Sequence, residues 1–523
     1  MPRSRTAAAA LLLAVPIVAG GFLLQEAPTQ SSGLLLEQVM SLVQRQYVDS
    51  MPAGATLEKA ARGLVRELND PYSELFSPRQ SEDFNRTTGG RYGGTGMSLG
   101  ERAPGVIVVE RVFPNTPAEE GGVREGDHVV QVDNTPTTNL ELAKVSNMLR
   151  GDPGSPVAVT YTRPGVTEPI KLRFTRRVVH IPAVAFTGMY GDHIGYIPLQ
   201  TFNENAAEEV RTAVETLVKD GAKGLVLDMR DNGGGIVEQA LETSSLFLRD
   251  GQEIVSVRSR NQPSETARSS GRHIATSVPL VVLIDGGSAS ATEIVAGALQ
   301  DHDRALVLGT TTFGKGLVQS VYPLQGGYQL KLTTGKWFTP SGRSIHRDRK
   351  LLPNGAFVEV NPDSLKDDAA RPKYKSDAGR VVVGGGGIRP DIVVADDTLA
   401  TIERDFLRAA APQAQAINTV LQDYALELKG TVTPNFAVPQ PWLGTVMHRL
   451  DAAHVKIEPK FDSVSRAFLM RDLSNRVARM SFGDATAKAR NLADDHQLAR
   501  AIALLEKSST QAQLLATASV ARR

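Results

Sequence analysis

Two residues at one spacing could do chemistry together. Ser290 closes the turn Gly286-Gly287-Ser288-Ala289-Ser290, and Lys315 sits 25 residues further on in Phe313-Gly314-Lys315-Gly316. A hydroxyl becomes a useful nucleophile when a base takes its proton, and a neutral lysine amine can be that base. An ordinary lysine titrates near 10.4, so only about one in two thousand is neutral at pH 7. Service as a base means lowering that value to roughly 7–8, about 4 kcal/mol of desolvation or neighbouring positive charge. Phe313, Gly314, Gly316, Leu317 and Val318 supply apolar surroundings of that kind. The bland alternative for any single lysine is a solvated surface cation.

The pair can work only if the chain brings it together. Pro279 to Ile284 is an apolar run of strand length, broken by Gly286-Gly287. Ala291 to Leu299 has helical spacing, and Ala305 to Leu308 is a second apolar run before Gly309. Strand, helix and strand at this length make two parallel strands whose following loops share one sheet edge. Ser290 then starts the crossover helix and Lys315 lies in the loop after the next strand. Upstream, GLVLDMR (224–230), the loop Asp231-Asn232-Gly233-Gly234-Gly235 and the helical IVEQALETSSLFL repeat the pattern. That loop should reach the same edge, where its N–H groups can approach an oxyanion closely. His302 follows the crossover helix and belongs at the opposite edge. Ser288 and Thr292 stand where GxSxG would have glycines, so a Ser–His–Asp arrangement is disfavoured.

SASATEIVAGALQD (288–301) followed by TTFGKGLVQ (311–319) resembles the active-site signature of the C-terminal processing (tail-specific) serine peptidases. The family's spacing selects Ser290 over Ser288. DMRDNGGG (228–235) is similar to the family's DLRxNxGG, with Gly233 where proline is frequent. YQLKLTTGKWFTPSGRSI (328–345) is similar to LTTxxYxTPSGRSI, with Trp337 at the tyrosine position. The resemblance runs from about Leu34 to Val394. It implies an α/β multidomain chain whose crotonase/ClpP-like αβ peptidase core follows a PDZ domain. It implies Ser290 as nucleophile, Lys315 as general base, Gln319 orienting the lysine, and Gly234 and Ala291 as N–H donors to the oxyanion. Glu293 is either a first-turn carboxylate favoured by the helix dipole or a polar neighbour of the site. No cofactor is implied.

The remaining segments are read around that core. Arg3 and Arg5 precede an uncharged 18-residue apolar run, Ala7 to Leu24. This reads as a signal peptide or an uncleaved anchor within residues 1–32, placing the bulk of the chain in the periplasm or cell envelope. Residues 33–86 form an N-terminal helical segment in which Asp70 and Ser73 of DPYS are turn and capping residues. Residues 87–180 resemble a PDZ domain. Its loop Gly94-Thr95-Gly96-Met97 stands where such domains hold a peptide's terminal carboxylate, the peptide adding as a strand. In this family the PDZ domain can gate the site. The core spans 181–394 and carries about forty residues, rich in Asp, Lys and Pro, before GGGGIRPDIVV, expected to be an exposed polar loop that could overhang the cleft. Residues 395–523 are a helical C-terminal extension, read as a dimerisation element, an adaptor dock or simple packing.

Composition removes other classes. Lysine and arginine nearly balance aspartate and glutamate, leaving +1, which gives no electrostatic reason for nucleic-acid binding. There is no cysteine, hence no disulfide or thiol nucleophile, and nine scattered histidines offer no metal-ligand spacing. The expected partners are proteins with apolar C-termini, an adaptor and a second copy of the chain. The membrane is met only through the N-terminal segment. The competing reading is a catalytically silent PDZ-containing scaffold, which should have lost Ser290, Lys315 or the glycine loop. A trypsin-like PDZ protease lacks its GNSGGP-type turn here, and acyl-CoA chemistry lacks a nucleotide signature.

Overall fold

The computed structural model describes residues 30–521 except 104, 164–165, 261, 272, 275–276, 353–356, 360–370 and 398. The expected export or anchor segment lies almost wholly outside them, and no described helix is long and apolar enough to cross a membrane. The chain forms two compact units.

The smaller unit holds the N-terminal residues to Ser81, Gln319–Thr333 and Arg349–Val358. Its helices are α1 (Gln30–Gln46) and α2 (Ala53–Arg66). A short strand, Glu74–Phe76, pairs antiparallel with Gln329–Lys331, so an arm from the middle of the sequence completes the segment expected at 33–86. Arg62 fastens the unit, donating from Nε to Glu58 and from Nη1 to the Leu75 carbonyl, both at 2.8 Å. Asp70 accepts from the Tyr72 N–H and the Ser73 hydroxyl, which is turn chemistry rather than catalysis.

The larger unit holds Glu82–Val318, Thr334–Asp348 and Glu359–Arg523. Strands β1 (Met97–Ala103), β2 (Val106–Val112), β3 (His128–Val132), β4 (Pro156–Thr162) and β5 (Ile170–Thr175) form an antiparallel sheet in that order, with β1 at an edge. Helix α3 (Leu142–Leu149) packs its buried Val145 and Leu149 with Met97, Val109 and Tyr161.

The central sheet runs β6 (Gly188–Tyr190), β7 (Ile194–Pro198), β8 (Gly224–Asp228), β9 (Leu280–Ile284), β10 (Leu306–Gly309) and β11 (Ile392–Val393). From β7 onward every pair is parallel. Near-continuous apolar strands demand cover on both faces. Leu225 and Leu227 face α4 (Ala206–Lys219), α5 (Val237–Ser245) and α6 (Ala291–Asp301). Val226, Val281 and Leu283 face the other way, where Leu498, Ile502 and Leu505 of α9 (His496–Leu505) cover them. Helix α10 (Gln511–Ala521) adds Leu514 to the same layer.

The extension is therefore part of the core. Between these ends, α7 (Ala414–Leu428), Gln440–Ala452 and α8 (Asp462–Phe482) share a separate interior around Leu421, Val446 and Leu473. A Cβ on Gly126, in the turn before β3, would lie 2.6 Å from Leu426 of α7, and Arg111 of β2 reaches Asp484 at 3.3 Å, so the bundle also rests on the PDZ-like domain.

The stretch before β11 departs from expectation. Its described part is not a loose exposed loop: Lys373–Lys375 and Val381–Val383 pair as a hairpin. Arg380 holds Asp391 at 2.7 Å and also pairs with Asp303, while buried Arg371 donates to the Gly384 carbonyl at 3.1 Å. Such fixed guanidinium contacts are invisible in a composition rich in Asp, Lys and Pro. Arg349–Leu351 and Phe357–Glu359 pair as a second short two-stranded sheet, and residues 353–356 and 360–370 lie outside the described residues.

Arg230 joins the tail helix to the sheet by bridging Asp228 at 2.6 Å and Asp495 at 2.9 Å, with Lys488 also on Asp495. Burial pushes the Asp495 carboxyl up, but hydrogen bonds and charge from Arg230 and Lys488 outweigh it and hold the group well below the usual range. A depressed folded-state value stabilises above the unfolded value near 3.9, and that stability is lost as pH falls below it. Asp495→Asn should cost about 3 kcal/mol at pH 7 in urea unfolding. The gap to the parent should narrow as the buffer is taken below about pH 4.

Candidate active site

The loops after β8, β9 and β10 meet at the carboxyl edge of the central sheet, as the βαβ reading requires. Ser290 is the N-cap of α6 and has φ 58° and ψ −115°. A non-glycine residue there stores roughly 1–3 kcal/mol of strain, so neighbours must hold it. The glycine loop does so from below. Gly234, at φ 97°, lies so close that a Cβ would sit 2.7 Å from the Ala289 carbonyl oxygen and 3.0 Å from Ser290 Cβ. Asn232, fully buried, accepts at its carbonyl from the Ala289 N–H (3.0 Å) and the Thr292 hydroxyl (2.8 Å), and its Nδ2 donates to the Leu199 carbonyl.

The strongest organiser is Glu293, one turn into α6 and 0% exposed. One carboxylate oxygen accepts from the Thr312 hydroxyl and the Gly314 N–H (2.7 Å). The other accepts from the Ser290 N–H and the Lys315 N–H, both at 2.8 Å. A single buried carboxylate thus ties the serine turn to the lysine loop. Burial raises its pKa above the ordinary glutamate value, and the four donors oppose that rise. The geometry supports both roles left open for Glu293: it is the first-turn carboxylate that closes the capping box on the Ser290 N–H, and it neighbours the site through the lysine loop. The signal was present as the capping-box spacing Ser290-x-x-Glu293.

Lys315 is half-buried, and its carbonyl accepts from the Trp337 indole at 3.0 Å. Trp337, 2% exposed, also donates its own N–H to the Gly316 carbonyl (3.1 Å). The departure from tyrosine is thus accommodated by a buried donor that fastens the lysine loop. The Phe313 N–H donates to the Ser288 carbonyl at 2.9 Å, a further link between the two turns.

The candidate residues divide as follows. Ser288 is buried and structural: its hydroxyl donates to the Met229 carbonyl at 2.8 Å, whereas Ser290 is only half-buried. The Ala291 N–H has no hydrogen-bond partner among the described residues. The Gly234 N–H, expected to point at an oxyanion, instead donates to Asn232 Oδ1 at 2.9 Å, because the loop turns back on its own side chain. The N–H groups of Gly233 and Gly235 have no partner among the described residues. Gln319 belongs to the smaller unit, where Nε2 donates to the Thr333 hydroxyl at 3.4 Å. His302 caps the far end of α6, about 16 Å along the helix from its start, between Asp377 and the Glu253 carbonyl. Asn232 and Thr312 were missed as organisers; buried polar side chains beside glycine loops are the cue. Gly94, Thr95, Gly96 and Met97 lead directly into the edge strand β1, with Thr95 and Met97 buried. Among the described residues no cluster of three or more His, Asp or Glu is arranged to hold a metal.

Comparison with known proteins gives this arrangement its class. Residues 193–363 match peptidase family S41 and residues 108–163 match the PDZ domain, so the chain is a serine peptidase that carries a PDZ domain. A carboxy-terminal-processing protease of Bartonella bacilliformis is 35% identical over 343 residues, 64% of this chain and 75% of that one. The chloroplastic C-terminal processing peptidase of Tetradesmus obliquus is 32% identical over 373 residues, 65% of this chain and 79% of that one. The carboxy-terminal processing protease CtpA of Bacillus subtilis is 31% identical over 312 residues, 60% and 66% of the two chains. The chain belongs to the carboxy-terminal-processing proteases of peptidase family S41.

Glu293→Gln replaces one acceptor oxygen by an amide that meets two N–H donors. Calorimetry should show a loss of about 2–4 kcal/mol. Gly234→Ala forces its Cβ into the Ser290 turn; kcat should drop on the order of 10²-fold, with a smaller change in KM.

Proposed function

We propose that the chain is an exported endopeptidase that takes hold of apolar protein C-termini and cleaves by a Ser290–Lys315 dyad. The observation that carries the reading is the Glu293 carboxylate, whose one oxygen accepts from the backbone of both residues. In the mechanism, Lys315 Nζ takes the Ser290 proton as Oγ attacks the scissile carbonyl. The tetrahedral oxyanion is held by the Ala291 N–H at the positive end of α6 and by an N–H of the Gly233–Gly235 loop. Use of Gly234 in that role requires its N–H to leave Asn232. Collapse expels the amine, which takes the proton from Lys315. Water, deprotonated by the lysine, then hydrolyses the acyl-enzyme. In the proposal Gln319 orients the lysine amine.

Substrate choice falls to the PDZ domain. The unpaired side of β1 can accept a tail as an added strand, its carboxylate at Gly94-Thr95-Gly96-Met97. Behind it, Met97 packs with Val145 and Leu149 of α3 in a buried apolar core that fixes the edge strand. The Arg3, Arg5 and Ala7–Leu24 pattern supports export and substrates in the cell envelope.

Cleavage of an unstructured protein with an apolar tail tests the reading. Ser290→Ala and Lys315→Ala should each lower kcat at least 10³-fold with melting unchanged. A Lys315→Ala variant as active as the parent would refute the dyad. Ending the tail in two aspartates should raise KM about tenfold and leave kcat near its parental value, since the remote contact is made equally in ground and transition states.

A further inference from the structure

We propose that a cationic sheet face of the larger unit binds an acidic stretch of the protein substrate, away from its scissile bond. The face lies on the strands Glu253–Ser259 and Glu265–Arg268 and on residues 335–338, which pair with the first of them. Successive side chains of a strand point to opposite faces. Val255, Val257, Ala267 and Trp337 turn inward and pack in the main core. The residues between them face outward, and of these Arg258, Arg268 and Lys336 are exposed. Arg260, directly after its strand, is exposed as well.

Arg258 and Lys336 stand directly opposite each other in the ladder. Like charges in that position oppose strand pairing. Cations that blunt a free sheet edge belong on an edge strand, and Glu253–Ser259 lies between its two neighbours. Glu253 reaches Arg268 at 3.7 Å, but among the described residues no acidic side chain pairs with Arg258, Arg260 or Lys336. The Arg258 guanidinium stacks over the Phe338 ring, 4.1 Å from its centroid. Stacking fixes the guanidinium plane and leaves its N–H edge open to an incoming carboxylate. A repulsion that the fold leaves standing is relieved when an anion binds. The chemistry and the position then select the occupant. A membrane surface takes up exposed apolar side chains along with cations, and here Phe338 is covered by Arg258. Trp337, next to Lys336 in sequence and opposite Val257, holds the Lys315 carbonyl at 3.0 Å. An acidic segment held at Lys336 is thus one residue from an anchor of the lysine loop, where a long protein substrate can reach it.

The inference rests on the proposed cleavage of protein substrates, so binding is measured apart from cleavage. The full chain carrying Ser290→Ala is titrated at low salt with a fluorescein-labelled glutamate-rich peptide that lacks an apolar C-terminus, and anisotropy is followed. The peptide should bind. Arg258→Gln combined with Lys336→Gln should weaken it about tenfold, and roughly 0.5 M salt should remove most of the difference. Lys336→Gln alone keeps the Arg258–Phe338 stack and lifts the repulsion, so it should melt no lower than the parent, which separates lost binding from lost fold. In cleavage, two substrates share one apolar tail and differ in an upstream segment, glutamate-rich or serine-rich. The chain with Ser290 intact should show a KM about tenfold lower for the acidic substrate at similar kcat, and the double variant should show none of that advantage. No anisotropy change, or equal affinity in parent and double variant, would overturn the proposal. Equal KM values with peptide binding intact would overturn the assignment to substrate. Flotation with phosphatidylserine vesicles that the double variant loses and the acidic peptide does not compete would give the face to lipid instead. A chain that binds the peptide through these residues yet cleaves neither substrate leaves the anionic site standing and refutes the peptidase reading.

Discussion

The active edge is organised around one fully buried carboxylate. Glu293 carries a desolvation penalty that only a complete set of donors can offset, and it has four. Two of these donors are the backbone N–H groups of Ser290 and Lys315. Any structure that satisfies Glu293 must therefore bring the serine turn and the lysine loop within the span of one carboxylate. The strained dihedrals of Ser290 persist because the same carboxylate fixes the turn from above while Asn232 and Gly234 fix it from below. Trp337 closes the arrangement by holding the Lys315 carbonyl.

Much of this was legible in the sequence, for identifiable reasons. The alternation of apolar runs and glycine turns from Gly224 to Gly309 fixed the parallel strands β8, β9 and β10, because long local patterns leave few topologies. Ser290 and His302 were assigned to opposite sheet edges by helix length alone, and the structure places them at the two ends of α6. Three things were not legible. The Asn232–Gly234 hydrogen bond depends on how a five-residue loop turns back on itself, and glycines permit many ways of doing so. The Arg380 and Arg371 contacts depend on partners distant in sequence or on backbone carbonyls that no composition reports. The arm Gln319–Thr333 joins the N-terminal helices through strand pairing across some 250 residues, and no local pattern encodes a register of that range.

The C-terminal extension changes how the chain should be divided. A central parallel sheet must be covered on both faces, and this chain covers one of them with helices from its last thirty residues. The Asp228–Arg230–Asp495 bridge sits at the end of β8, immediately before the glycine loop of the active edge. The tail, far from Ser290 in sequence, thereby contributes to the rigidity of the loop that carries Asn232 and Gly234. Through α7 and Asp484 the same extension rests on the PDZ-like domain, so one appendage supports both the recognition module and the catalytic sheet.

The proposed control of the Ser290–Lys315 pair by Glu293 is tested most directly by the rate at which a fluorophosphonate labels Ser290. Mass spectrometry locates the adduct, and neither substrate tail nor PDZ domain enters the readout. The account predicts labelling of the parent at Ser290 alone. The rate should fall at least a hundredfold in Lys315→Ala and by a comparable factor in folded Glu293→Gln. Labelling of Glu293→Gln at the parental rate would contradict it, because serine and lysine would then be aligned without the carboxylate that joins them.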